Sequence, residues 1–224
     1  GLDVIVLKKL HINGYAAPEL GKWREFLEKL KYPKSKVTIG LIGKYIELQD
    51  AYKSILEAFV HAGAINHCKV QIVNVHSEFI TPENVSEKLK DLDGLLVAPG
   101  FGSRGVEGKI TSVKYARENQ LPFFGICLGM QMSVIEYARN VMGWRDANST
   151  EMDTKSPFPV IALMEEQKKI KKKGGTMRLG AYPCQLQEGS LAHRIYGTTM
   201  ISERHRHRWE FNNNYMNDFM NAGL

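Results

Sequence analysis

Pro122-Phe123-Phe124-Gly125-Ile126-Cys127-Leu128-Gly129-Met130-Gln131 joins two kinds of segment with almost nothing between them. Pro122–Ile126 is short and apolar, as a buried strand is, and Leu128–Asn140 carries a helical pattern. So sharp a strand-to-helix turn is a nucleophile elbow, in which small flanking residues let the backbone bend tightly around an exposed nucleophile. The helix N-terminus adds partial positive charge and unpaired N–H groups, which favour a thiolate and can hold an oxyanion beside it. An isolated cysteine is more often a buried structural residue. The glycines at 125 and 129 and the junction itself favour the nucleophile, Cys127.

Outward from the elbow, strands and helices alternate. Val37–Gly43, Lys69–Val75 and Gly94–Ala98 read as strands. Between them, Gln49–Ala62 places Tyr52, Ile55, Leu56, Phe59 and Val60 on one helical stripe, closed by Gly63. Thr81 reads as the cap of a helix with Pro82 at its first position, ending near Lys90, and Lys109–Asn119 as another helix. This alternation predicts an α/β fold with a mainly parallel central sheet flanked by helices, its site at the carboxyl ends of the strands. Phe158–Leu163, Leu179–Leu186 and Thr198–Arg204 read as strands with one short helix, Ser190–Tyr196, among them. They predict an added antiparallel portion. Residues 1–36, with Trp23, Phe26, Leu27 and Leu30 on one side of a short helix, read as a linker. No internal repeat is visible.

A second glycine-rich stretch, Pro99-Gly100-Phe101-Gly102-Ser103-Arg104-Gly105, follows the third strand. Alone it reads as a plain turn. If the third and fourth strands are neighbours, it lies beside Cys127, where its peptide N–H groups could complete an oxyanion hole.

Composition excludes several classes. The 224 residues are 43% apolar, 24% charged and 9% aromatic, which is ordinary globular usage rather than that of a disordered or fibrous chain. No apolar run approaches the roughly 18 residues of a membrane helix, and the start lacks a signal-peptide pattern. Three scattered cysteines, Cys68, Cys127 and Cys184, suggest neither a disulfide framework nor a metal site, and predict a reducing, cytoplasmic setting. The net charge of +6 divides unevenly: residues 1–36 carry +4, residues 37–164 carry −2 and residues 165–224 carry +4. Basic ends around a neutral body suit an anionic small molecule or another domain better than nucleic acid or a membrane.

The set PGFGSRGVEGKI (99–110), PFFGICLGMQ (122–131), NSTEMD (148–153), GGTMRLG (174–180) and ERHRHRWEFNN (203–213) resembles the class I glutamine amidotransferase domain of the CTP synthase family over roughly residues 37–215. The resemblance implies the flavodoxin-like glutaminase architecture, with residues 1–36 as the end of a synthetase domain and a connector, and 37–224 as a C-terminally incomplete glutaminase domain. It implies hydrolysis of L-glutamine at Cys127, the ammonia passing to a synthetase domain that uses ATP and Mg²⁺ to turn UTP into CTP. It also implies GTP as allosteric activator, a homo-oligomer, and no metal or cofactor in this domain. By the family pattern, Gly100 and Leu128 supply oxyanion N–H groups. Gly100, Phe101, Leu128, Gly129, Met130, Gln131, Glu151 and Arg208 bind glutamine. A carboxylate suits the α-ammonium group and a guanidinium suits the α-carboxylate. The family reads Pro-Gly-Gly-Phe-Gly where this chain has Ala98-Pro99-Gly100-Phe101-Gly102, so a residue without an N–H precedes the oxyanion donor.

A thiolate nucleophile needs an acid for the departing ammonia, usually a His oriented by a carboxylate. The superfamily's His-Pro-Glu motif does not occur in the 224 residues. His76-Ser77-Glu78 reads as a decoy, and His205 and His207 as structural or substrate-proximal. The expectation is a fragment whose isolated turnover is low, ahead of an incomplete record or a natural pseudo-enzyme. Lys168–Lys173 (KKIKKK) reads as a solvated loop, or else as a lid meeting the synthetase domain and GTP. Two alternatives stay open: the glutaminase of another amidotransferase, and a non-catalytic glutamine-binding regulatory domain.

Overall fold

The computed structural model describes residues 1–14, 16, 18–164, 167 and 177–224. The Lys168–Lys173 run and residues 174–176 lie outside them. In chain order the elements are α1 (Leu2–Lys9), α2 (Gly21–Lys31), β1 (Ser35–Gly43), α3 (Lys53–Ile65), β2 (Cys68–His76), α4 (Val85–Leu89), β3 (Gly94–Val97), α5 (Val106–Glu118), β4 (Phe123–Gly125) and α6 (Leu128–Asn140). There follow β5 (Ala147–Ser149), β6 (Phe158–Ala162), β7 (Arg178–Gln185), α7 (Leu191–Tyr196), β8 (Met200–His207), β9 (Glu210–Phe211) and α8 (Met216–Ala222). The chain forms two compact units, one of Gly1–Lys36 with Ser54–Val70, the other of Val37–Lys53 with Gln71–Leu224.

In the first unit, Trp23 stacks on Phe26 and Phe26 on His61, with ring centres 5.5 and 5.3 Å apart. The stripe predicted over 49–62 is not one helix. Gln49–Tyr52 is a 3-10 turn, and α3 runs through Gly63 to Ile65. Gly63 is a close-approach position rather than a terminator, because a Cβ there would lie 2.6 Å from the Cys68 carbonyl oxygen.

In the second unit a four-stranded sheet has the order β2-β1-β3-β4. The pairs β1–β3 and β3–β4 are parallel, with Leu41 opposite Leu96 and Leu96 opposite Phe124. Every residue of β3 is buried, which suits an apolar central strand. Ile42, Leu95, Val97, Leu89 and Val113 form one apolar cluster. A second gathers Leu128, Met132 and Ile135 of α6 with Ala147, Val160, Ile161 and Phe219. Helix α6 thus buries residues against both the parallel sheet and the later strands.

Two helix starts differ from expectation. Regular helix begins at Val85, not Pro82: residues 82–84 form a turn, across which Asn84 Oδ1 accepts the Thr81 N–H at 2.9 Å and the Val85 N–H donates to the Thr81 carbonyl at 3.0 Å. Helix α5 begins at Val106, three residues early, because Gly105 takes a left-handed φ of 72° and caps it. The antiparallel portion is also more mixed than its pattern suggested. β5 and β6 are parallel, β6 and β9 antiparallel, and β7–β8 is a separate antiparallel ribbon running from Arg178 opposite His207 to Gln185 opposite Met200. Among the described residues no helix is long and apolar enough to cross a membrane.

Candidate active site

The β3–β4 pairing sets Val97 beside Gly125, so the chain leaves two neighbouring strands into the 98–105 loop and into Cys127. At the elbow, Cys127 is held at φ 53° and ψ −107°. A non-glycine residue there carries strain of about 1–3 kcal/mol, tolerated where surrounding structure fixes it. That fixation is visible. Ile126 N–H donates to the Val97 carbonyl at 3.1 Å, and the Gly129 and Gln131 N–H groups donate to Ile126 and Cys127 at 2.9 and 3.1 Å. A Cβ at Gly129 would overlap the Val97 carbonyl oxygen, and one at Gly125 would lie 2.6 Å from the Gly129 carbonyl carbon. Both glycines are therefore demanded by the fit of α6 against the sheet.

Cys127 is half-buried and opens into a cleft of about 930 Å³. Pro99, Gly100, Phe101, Gly125, Met130 and Gln131 line it on the sheet side. Residues 203–207 and Trp209 line it from the later strands, with Tyr45 and Tyr52. The thiol approaches the Arg206 carbonyl at 3.9 Å. The Leu128 N–H is directed at the sulfur and by itself lowers the thiol pKa, as does Lys109. Burial outweighs both, and Glu151 adds repulsion, so the Cys127 thiol lies above its ordinary value. The thiolate expected from the helix N-terminus is thus not the favoured resting form. Desolvation of a sulfur anion is the reason.

Glu151 and Arg208 stand apart from the cleft lining. Glu151 Oε1 accepts the Gly102 N–H at 2.8 Å, tying the glycine loop to the segment after β5. Burial raises its pKa, against the Gly102 hydrogen bond and the attraction of Arg208 and Lys44. The Arg208 guanidinium lies 5.3 Å from the Trp209 ring centre. Gln131 Nε2 donates to the Trp209 carbonyl at 2.8 Å, joining α6 to the segment after β8.

Of the histidines, His205 Nδ1 and His207 Nε2 are 2.7 Å apart and both residues line the cleft. His207 Nδ1 lies 3.7 Å from Glu210, which Arg178 holds at 2.9 Å. Burial lowers the His207 pKa. Ser77 is fully buried and does not line the cleft, while Glu78 pairs with Arg104 at 3.2 Å. The His76-Ser77-Glu78 stretch serves as a seat for α5: a Cβ at Gly108 would overlap the Ser77 carbonyl oxygen.

Two residues of the site escaped sequence reasoning. Lys44 is 5% exposed and Lys109 is fully buried. Lys44 Nζ donates to the Phe101 carbonyl, and Lys109 Nζ to the Ala98 carbonyl at 2.8 Å. The two ammonium groups therefore grip the 98–101 loop at both ends. The legible signal was Gly105-x-x-Gly108, one bare helix face that draws the adjacent Lys109 inward. Among the described residues no cluster of three or more His, Cys, Asp or Glu is placed to hold a metal ion.

The model of the glutamine amidotransferase class-I family matches residues 47–223. The chain is 63% identical over 224 residues to a CTP synthase of Flavobacterium johnsoniae, covering all of this chain and 42% of that protein. It is 54% identical over 226 residues to a CTP synthase of Chlorobaculum tepidum, covering all of this chain and 40% of that protein. The chain thus spans about two-fifths of the length of the curated relatives it matches. Among solved structures it is similar to the glutaminase domain of Trypanosoma brucei CTPS with bound acivicin. The TM-score is 0.76 at 39% identity, over 84% of this chain and 72% of that one.

Proposed function

We infer the role of this chain from one premise: it belongs to the class-I glutamine amidotransferase family, in the branch of CTP synthase glutaminase domains. The proposed reaction is hydrolysis of L-glutamine to glutamate and ammonia. The observation that carries it is Cys127 on a strained elbow at the cleft, with the Leu128 N–H directed at its sulfur.

Cys127 Sγ attacks the carboxamide carbon, and the carbonyl oxygen becomes an oxyanion facing the Leu128 and Gly100 N–H groups. Collapse of that intermediate expels ammonia and leaves a γ-glutamyl thioester, which water cleaves to glutamate. Phe101, Gly129, Met130 and Gln131 shape the binding site. Glu151 receives the α-ammonium group and Arg208 the α-carboxylate. The mutual attraction of Glu151 and Arg208 supports this pairing, since a bound zwitterion is complementary to both. The departing ammonia needs a proton donor, and the 224 residues contain no His-Pro-Glu motif. These residues supply nucleophile, oxyanion donors and substrate clamp, and their turnover in isolation is expected to be low.

In the whole enzyme, residues 1–36 would end the synthetase domain and form the connector to the glutaminase part, 37–224. The ammonia would serve a synthetase domain that makes CTP from UTP with ATP and Mg²⁺, under activation by GTP, in an oligomer. The identities to CTP synthases along the full chain support this reading.

A chloroketone analogue of glutamine tests the site. Peptide-mapped mass spectrometry should find one adduct, at Cys127 rather than Cys68 or Cys184, slowed by L-glutamine and lost in Cys127→Ala. An adduct pattern indifferent to L-glutamine overturns the assignment.

A further inference from the structure

Lys109 takes no part in the chemistry above, yet it is among the largest fully buried side chains of the described residues, at 0% exposure. It sits in the first turn of α5 between Val106 and Ile110, both buried, where an aliphatic side chain would fill the space without desolvating a charge. An ammonium group buried this way costs several kcal/mol, to order of magnitude, unless a carboxylate answers it. Lys109 has instead a backbone partner, the Ala98 carbonyl, and a like-charged neighbour, Lys44. The group that favours its charge is Cys127, and the influence is mutual. Its position is specific to the oxyanion loop. Ala98 is the residue before Pro99-Gly100, and a Cβ at Gly100 would lie 3.8 Å from Lys109 Nζ. Lys44 closes the other end of the same short loop at Phe101.

We propose that Lys109 is a positioning residue for glutamine hydrolysis, its buried ammonium group anchoring the Ala98–Gly100 backbone and supplying the positive field in which Cys127 ionises. This rests on Cys127 being the nucleophile. Pro99 gives the anchoring its use, since the residue before the oxyanion donor has no N–H with which to fix itself. The field answers the burial that opposes the thiolate, and it acts from within the protein, where water screens it little.

The test follows iodoacetamide alkylation of Cys127 against pH, resolved by peptide mass spectrometry, in the full-length protein carrying this chain. Lys109→Met should move the rise in rate to higher pH and slow alkylation near pH 8 about tenfold, the change in thiolate fraction for one unit of thiol pKa. Lys109→Arg, which keeps its charge throughout, should restore the lower-pH rise. A space-filling role alone would leave the pH profile of Lys109→Met superimposed on that of the wild type, and that result overturns the proposal. Should Lys109→Met not fold, the wild type decides. Lys109 and Cys127 each favour the other's charged form, so their titrations are coupled and the log rate should climb with a slope below one as both groups titrate. A single titration of unit slope overturns the proposal. Chloroketone labelling with L-glutamine protection is run alongside. Its failure would sink the nucleophile assignment, whereas its success with unchanged profiles would sink only the role of Lys109.

Discussion

Arg117, in the last turn of α5, and Lys109, in its first, are both directed into the protein, but Arg117 meets a carboxylate and Lys109 a carbonyl. Glu136 of α6, 1% exposed, accepts hydrogen bonds from Arg117 Nε and Nη2 at 2.8 to 3.1 Å. The guanidinium itself is one-third exposed, so water shares in its solvation. At the other end of the helix the Lys109 ammonium is fully enclosed, with Lys44 beside it and Cys127 as the group that favours its charge. The contrast separates two uses of a buried ion. Where α5 and α6 need only be held together, the charge is neutralised by geometry. Where the helix borders the 98–101 loop, the charge meets a backbone carbonyl instead, and under the proposal above it remains available to the reaction.

The largest effect should come from breaking the neutralised end. Arg117→Met leaves the Glu136 carboxylate enclosed without its partner, a change that typically removes about 3 kcal/mol or more. Urea unfolding should show the loss, while the pH profile of Cys127 alkylation stays in place. A shift of that profile in Arg117→Met would mean that the two ends of α5 are not separable.

Lys109→Met should do the reverse. Removing an unanswered buried charge should raise stability near pH 7 by about 1–2 kcal/mol, even as it slows the thiol. The gain should depend on pH with a definite sign. The folded-state pKa of Lys109 is about 8, below its ordinary 10.5. Below pH 8 both folded and unfolded chains carry the proton, and the penalty for burying it is complete. Between 8 and 10.5 the unfolded chain binds more protons, so wild-type stability rises with pH relative to the variant. The advantage of Lys109→Met should therefore shrink across that window in paired unfolding curves. A constant difference would place the ammonium group in water.

The difference between the ends of α5 also marks where sequence reading stops. The strand-turn-helix at 122–131 was legible because three independent signals agreed: an apolar run, flanking glycines and a helical pattern. The β3–β4 adjacency, left conditional by the sequence, is present, and Gly100, Phe101, Met130 and Gln131, which the family resemblance implied, line the cleft. Lys109 was passed over, because a lysine in a helix reads as solvated and the bare Gly105-x-x-Gly108 face beside it signals burial only once its packing is known. That packing depends on Ser77, thirty-odd residues away, whose carbonyl admits no side chain at Gly108. The failures at Gly63 and Thr81 have the same root. Gly63 looks like a terminator but accommodates the Cys68 carbonyl, and Thr81 opens a turn over 82–84 before regular helix begins at Val85. Short elements such as β5 and β9 carry too few residues for any period, and only pairing with β6 defines them.

A third charge on α5 supplies the weakest test. Glu107 is paired with Arg139 at 3.1 Å, as long as the longer Arg117–Glu136 contacts, but its side chain is 74% exposed. Arg139 keeps a second partner in the Ala147 carbonyl at 2.8 Å, so losing Glu107 would not orphan it. An exposed carboxylate gains little from a partner, because water solvates it nearly as well and salt screens the attraction. Glu107→Gln should therefore change stability by no more than about 0.5 kcal/mol, and raising the salt concentration should erase the difference. Hydrogen bonds differing by at most 0.3 Å at Glu107 and Glu136 would then correspond to stability effects several-fold apart. If Glu107→Gln instead cost as much as Arg117→Met, enclosure would not be what distinguishes the ion pairs of this helix, and the special standing of Lys109 would lose its physical basis.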